Sequence, residues 1–153
     1  MRIAFDLDGT LIDRRFRPEK LKYPIGKLFM QEYLRKGVRE VAAYLKKNKV
    51  ELWVYTTSLR SSGYIRRLFF VYGISLNEVI NQKIHDKAMK TYSIKPKASK
   101  YPPHWDISLL VDDQKGLELE AKIYEFEVYI LSPSDLAWPE RIIAAIERKL
   151  SIK

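Results

Sequence analysis

Near its start the chain reads Arg2-Ile3-Ala4-Phe5-Asp6-Leu7-Asp8-Gly9-Thr10, a short apolar β-run that ends in two carboxylates. Residues i and i+2 of a strand point the same way, so Asp6 and Asp8 are placed to face one site where the strand gives out. Gly9 permits the sharp exit, because glycine adopts positive φ without steric cost. A strand followed by an Asp-Gly turn accounts for these residues equally well when they are taken alone. Buried acids with nothing to hold, however, lower stability. The question is whether later segments bring partners to the same place.

The rest of the chain alternates strand and helix signals. Residues 2–7 read as a strand. Residues 11–27 have no clean period and contain Pro18, Pro24 and Gly26, which suggests a loop or flap. The spacing predicts a short helix over 28–36, broken at Gly37, and an amphipathic helix over 38–48 with Val38, Val41, Ala42 and Leu45 on one face. Residues 50–56 are rich in β-branched and aromatic side chains, hence a strand, followed by a helix over 60–72 with Ser58 as its N-cap and Gly73 as its stop. A short strand is expected at 78–83, a weak helix at 84–91 and a proline-punctuated loop over 93–105. Residues 107–112 form another apolar strand ending in Asp112-Asp113. A helix over 115–125, a strand over 128–131 and a helix opened by Pro139 complete the pattern.

Such alternation predicts an α/β fold: a Rossmann-like three-layer sandwich around a parallel sheet. Ligands of these sheets bind beyond the carboxyl ends of the strands. That rule gathers Asp6 and Asp8, Thr56 to Ser58, and Asp112 and Asp113 at one edge.

Composition narrows the class. At 153 residues, 46% hydrophobic and 31% charged, the chain is expected to fold as one domain, residues 1–153, and not to be disordered. It has no cysteine, which excludes a disulfide framework and thiolate metal sites. Its apolar runs, such as Leu68 to Tyr72, are too short to span a bilayer. Asp6 and Asp8 stand where a signal peptide needs its apolar stretch, so a cytoplasmic protein without membrane association is expected. Net charge is +9, with clusters at Arg14, Arg15, Arg17, Lys20 and Lys22 and again at Arg35, Lys36 and Arg39. This excess biases the surface towards anionic partners, although lysines and arginines of this kind commonly do no more than solvate a face.

The motifs resemble those of the haloacid dehalogenase-like (HAD) superfamily. Asp6-Leu7-Asp8-Gly9-Thr10 with Leu11 is similar to its first motif, Val54-Tyr55-Thr56 to its second, and Leu110-Val111-Asp112-Asp113 to its fourth. The third motif is a lysine, for which Lys95, Lys97 and Lys100 compete, with Lys87 and Lys90 further back. Lys97 fits best, because its spacing to the next strand resembles that of the capless carboxy-terminal-domain phosphatases. Only about 40 residues separate Asp8 from Val50, and Ser58 to Lys97 leaves no more room, so no cap domain is expected.

The resemblance implies a Mg²⁺-dependent phosphatase, a phosphoric monoester hydrolase working through an aspartyl-phosphate. Asp6 is then the nucleophile, and Asp8 the acid that protonates the leaving oxygen and later the base that deprotonates water. Mg²⁺ would be held by Asp6, the backbone carbonyl of Asp8 and Asp112, with Asp113 adding a ligand or an outer contact. Thr56, Lys97 and the backbone near Gly9 would hold the phosphate, with Thr57 and Ser58 as weaker candidates. An open site suits a large phosphorylated substrate, a nucleic acid or a phosphoprotein, or a small nucleotide or sugar phosphate if oligomerisation supplies a lid. The competing reading is a binding module that keeps the fold without turnover.

Overall fold

The computed structural model describes residues 1–93 and 96–152. Its five strands are β1 (Arg2–Phe5), β2 (Glu51–Tyr55), β3 (Glu78–Ile80), β4 (Leu109–Asp112) and β5 (Val128–Ile130). They form one sheet in the order β3-β2-β1-β4-β5, with every neighbouring pair parallel. Five helices accompany them: α1 (Val38–Lys47), α2 (Ser62–Phe70), α3 (Gln82–Met89), α4 (Leu117–Ile123) and α5 (Trp138–Ser151).

The sheet is buried on both faces, which is why its strands read as continuous apolar runs. Ile3, Phe5, Leu52, Val54, Leu109 and Val111 face one core together with Val41 of α1, Leu68 of α2 and Ile146 of α5. The residues between them, Ala4, Trp53, Tyr55 and Leu110, face the other, with Leu117 of α4. Burying one large side chain such as Phe5, only 1% exposed, contributes about 1.5–3 kcal/mol. The three-layer α/β architecture is the expected one.

After β1 the chain builds outward through β2 to β3, then returns to place β4 against the free side of β1. The order of connection therefore reverses between β1 and β4, and a crevice opens beyond their carboxyl ends. No inserted cap domain stands among the described residues. A flap with one 3-10 turn (Pro24–Leu28) joins β1 to α1, and α2 alone fills the passage from β2 to β3.

Two local expectations are corrected. The helix over 28–36 does not form. Its backbone groups are taken by long-range partners: the Glu19 N–H donates to the Leu34 carbonyl at 2.8 Å, the Leu34 N–H to the Tyr72 hydroxyl at 3.2 Å, and the Arg35 N–H to the Leu11 carbonyl at 2.8 Å. An isolated antiparallel bridge pairs Pro18 with Arg35. Nor is Ser58 the cap of α2. Ser61 is, with its side chain accepting from the Tyr64 N–H. Ser58 Oγ accepts instead from the Arg60 N–H at 3.0 Å. Gly37, at φ 99°, turns the flap into α1, and the Glu19 carboxylate accepts from its N–H at 2.9 Å.

Candidate active site

Asp6 lies one residue beyond β1, and its N–H still donates to the Val111 carbonyl of β4 at 2.9 Å. That bond extends the ladder and sets Asp6 beside Asp112, the last residue of β4. Both are buried, at 4% and 0% exposure. Asp113 follows, and carboxylate oxygens of Asp6, Asp112 and Asp113 all lie within 4.8 Å of one another. Thr10 ties the group to the turn after β1, its hydroxyl donating to Asp113 Oδ1 at 3.3 Å and reaching Asp6 Oδ2 at 3.5 Å. Gly9, at φ 82°, makes the close approach possible, since a Cβ there would stand 2.4 Å from Asp113 Oδ2.

Among the described residues, one cation stands within this group of acids. Lys100 Nζ donates to Asp6 Oδ1 at 2.7 Å and to Asp112 Oδ2 at 2.5 Å, in a setting where Lys100 is 3% exposed. Its place is fixed by its neighbours. The Tyr101 N–H donates to the Tyr55 hydroxyl at 2.7 Å, and that hydroxyl shares a 2.6 Å hydrogen bond with His85 Nδ1 on α3. Ser99 donates through N–H and hydroxyl to Glu120 of α4, at 3.0 and 2.9 Å. Burial pushes the Asp6 carboxyl up to about 6, against the opposing pull of the Lys100 ammonium and with a further push from Asp112. Burial, then the Asp112 charge, also raises Asp113.

The donor set fits Mg²⁺. It offers three carboxylates with hard oxygen atoms in one small volume, the ligand chemistry this ion takes. Lys100 offsets one of their three negative charges, and a divalent cation would balance the other two.

No protein-family model matches the chain, and no curated protein matches it in sequence. Solved structures do match in shape. A HAD-superfamily hydrolase from Ehrlichia chaffeensis, 11% identical, aligns over 95% of this chain and 96% of its own with a TM-score of 0.52. A predicted HAD-like family hydrolase from Porphyromonas gingivalis, 14% identical, aligns over 97% of both chains with a TM-score of 0.50. The chain has the HAD-like fold.

Within that HAD-like fold the structure brings Asp6, Asp112 and Asp113 together and sorts the other expected residues. The lysine at the carboxylates is Lys100, not Lys97. Lys97 is exposed and lines a separate cavity of about 380 Å³ with Thr57, Gln82, His85 and Ser99. The alternative Lys95 lies outside the described residues. Thr56 is buried at the end of β2, its hydroxyl accepting from the Ser58 N–H at 3.1 Å, whereas Thr57 is exposed.

Asp8 departs from its expected place. Its carboxylate is not among the three that gather, so as a metal ligand it has only its backbone carbonyl to offer. It projects towards a cleft of about 820 Å³ and takes a two-pronged ion pair from Arg60, at 2.8 Å from Nη1 and 2.9 Å from Nη2. Arg60 also binds Glu32 on the flap. Sequence reasoning passed over Thr10, Arg60 and Glu32. Arg60 had a usable signal, since it follows the carboxyl end of β2 where ligands gather. Glu32 had none, because it fell in the helix expected over 28–36.

Proposed function

We propose that this protein is a Mg²⁺-dependent phosphatase that hydrolyses a phosphomonoester through an aspartyl-phosphate. The observation that carries the reading is the Asp6–Lys100–Asp112 cluster, with Asp113 beside it, at the carboxyl edge of the sheet where the strand order reverses. A metal-free structural role leaves this arrangement unexplained, since three carboxylates in one small volume oppose each other's ionisation.

Asp6, Asp112, Asp113 and the carbonyl of Asp8 would hold Mg²⁺, which when bound screens the phosphate's charge from the attacking carboxylate. Asp6 attacks phosphorus, its oxygen bonding as the ester oxygen departs. Lys100 draws one Asp6 oxygen towards itself and offers positive charge to the phosphoryl oxygens. The Thr56 hydroxyl supplies a further donor at the same edge, whereas the Gly9 N–H is taken by the Ile12 carbonyl at 2.9 Å. Asp8 gives its proton to the departing oxygen and takes one from the water that then cleaves the acyl-phosphate, restoring Asp6.

The substrate we propose is large and anionic. Without an inserted cap the cleft beside Asp8 is open, and Arg14 forms part of its wall. Arg17, Lys36 and Arg39 line a second cleft, of about 1030 Å³. Phosphorylated oligonucleotides and phosphopeptides belong together in one substrate panel with nucleotides and sugar phosphates.

Turnover of an aryl phosphate, with Mg²⁺ and with excess EDTA, tests the reading. We expect hydrolysis to need the cation, and Asp6→Asn to lower kcat by on the order of 10⁴-fold or more, as removing a nucleophile does. Wild-type turnover no higher than that of the variant would leave a binding module as the better account.

A further inference from the structure

We propose that Arg60 is the positioning residue for Asp8, and that Glu32 on the flap holds Arg60 in that role. This rests on the reading of Asp8 as the proton donor and acceptor. The guanidinium has five N–H groups in a rigid plane, and all five are directed. Nη1 donates to Asp8 Oδ2 at 2.8 Å and to Ser58 Oγ at 2.8 Å. Nη2 donates to Asp8 Oδ1 at 2.9 Å and to Glu32 Oε1 at 2.5 Å, and Nε donates to Glu32 Oε2 at 3.0 Å. Tyr64 of α2 steadies Glu32 through a 2.8 Å bond from its hydroxyl. The Arg60 backbone is pinned as well, its N–H donating to Ser58 Oγ and its carbonyl accepting from Asn81 Nδ2 at 3.0 Å.

Asp8 by itself is poorly constrained. Its side chain is 57% exposed, against 23% for Arg60 and 25% for Glu32. An exposed aspartate samples several rotamers, and a proton donor works only from the right one. The fork takes one lone pair on each Asp8 oxygen, so the carboxylate turns only as the guanidinium turns, while a second lone pair on each oxygen is left to carry the proton. The arrangement also ties the flap to the chemistry, since displacing Glu32 releases the group that fixes Arg60.

The test compares kcat/KM, which reports the step where the leaving oxygen departs, for two substrates. p-Nitrophenolate leaves without a proton, whereas the alkoxide of an alkyl phosphate needs one. Arg60→Met should lose on the order of 10–100-fold on the alkyl phosphate, within the range general acids supply, and much less on p-nitrophenyl phosphate. Glu32→Gln, which keeps the Asp8–Arg60 pair, should show the same preference with a smaller loss, so the test survives if Arg60→Met folds poorly. Equal losses on the two substrates, or none, would overturn the proposal. Asp8→Asn is the control for the reading beneath it. If that variant shows no preference between leaving groups, Asp8 is not the proton donor and the proposal falls with it.

Discussion

Lys100→Met is expected to lower the stability of the metal-free protein by about 3–5 kcal/mol, the cost of removing one partner from a buried ion pair. Lys100 is the ammonium that touches Asp6 and Asp112, and both carboxylates are almost fully enclosed. Without it the cluster keeps its negative charges and loses their nearest compensation. Two rescues are available, and each gives the prediction a signature. The first is a proton. Asp6 already holds its proton up to about 6 because it is buried, so its folded value lies above its unfolded one. Such a group stabilises the fold fully below its unfolded pKa, and that contribution is lost as pH rises through about 6. The deficit of Lys100→Met should therefore be larger at pH 8 than at pH 5. The second rescue is the proposed Mg²⁺, which by binding the folded cluster would stabilise it by mass action, about 2.7 kcal/mol at a hundredfold excess over Kd. Thermal melting with and without Mg²⁺ at the two pH values reads both. A variant that melts with the wild type in EDTA at pH 8 would refute this account of Lys100.

The second large effect lies at Arg35, which belongs to a basic cluster in the sequence yet is only 4% exposed. Its Nη1 donates to the Thr10 carbonyl at 3.2 Å. Its Nη2 serves the carbonyls of Ser132, Pro133 and Asp135 at 3.2, 3.1 and 2.6 Å. The guanidinium lies over Phe16 at 4.4 Å and beside Trp138 at 5.3 Å. It thereby joins the turn that carries Thr10 to the loop between β5 and α5, while its own backbone pairs with Leu11 and Pro18. Arg35→Leu takes a donor from those carbonyls, of which only that of Ser132 keeps a second, from the Asp135 N–H, among the described residues, and removes the cation from two aromatic faces. We expect a loss of about 3 kcal/mol, a fall in Tm of roughly 6–12 °C for a chain of this size. Arg35→Lys should recover only part of it, because an ammonium cannot span the same acceptors. Denaturant melts showing Arg35→Leu within about 0.5 kcal/mol of the wild type, as for an ordinary surface change, would show that Arg35 is a solvated charge after all.

These two residues show where the sequence was legible. The sheet was, because β1, β2 and β4 are apolar runs that stop abruptly at Asp6, Thr56 and Asp112, and strand ends in an α/β fold share an edge. The lysine was not, since spacing favours Lys97 and nothing local to residues 87–100 marks Lys100 as the one at the carboxylates. What selects it is the contact of Tyr101 with the Tyr55 hydroxyl, made by residues 46 positions apart. Residues 28–36 misled for a related reason. Their helical pattern is a weak prior, and pairing with Leu11, Glu19 and Tyr72 overrides it. The ion pair of Asp8 with Arg60 spans 52 positions and left no trace in spacing.

The strand order also has a consequence for how the chain emerges during synthesis. β1 is the centre of the sheet, but its two neighbours come from distant parts of the chain, β2 at Glu51–Tyr55 and β4 at Leu109–Asp112. A nascent chain that has released β3 can pair β1 with β2 on one side only. The other edge, Ile3 to Phe5, then offers unsatisfied backbone groups on apolar residues, a template for pairing with another chain. Asp6, at the end of that open edge, is a gatekeeping charge until Val111 accepts its N–H and Lys100 arrives beside it. The carboxylate proposed as the nucleophile is thus also the charge that borders the growing sheet before its site exists.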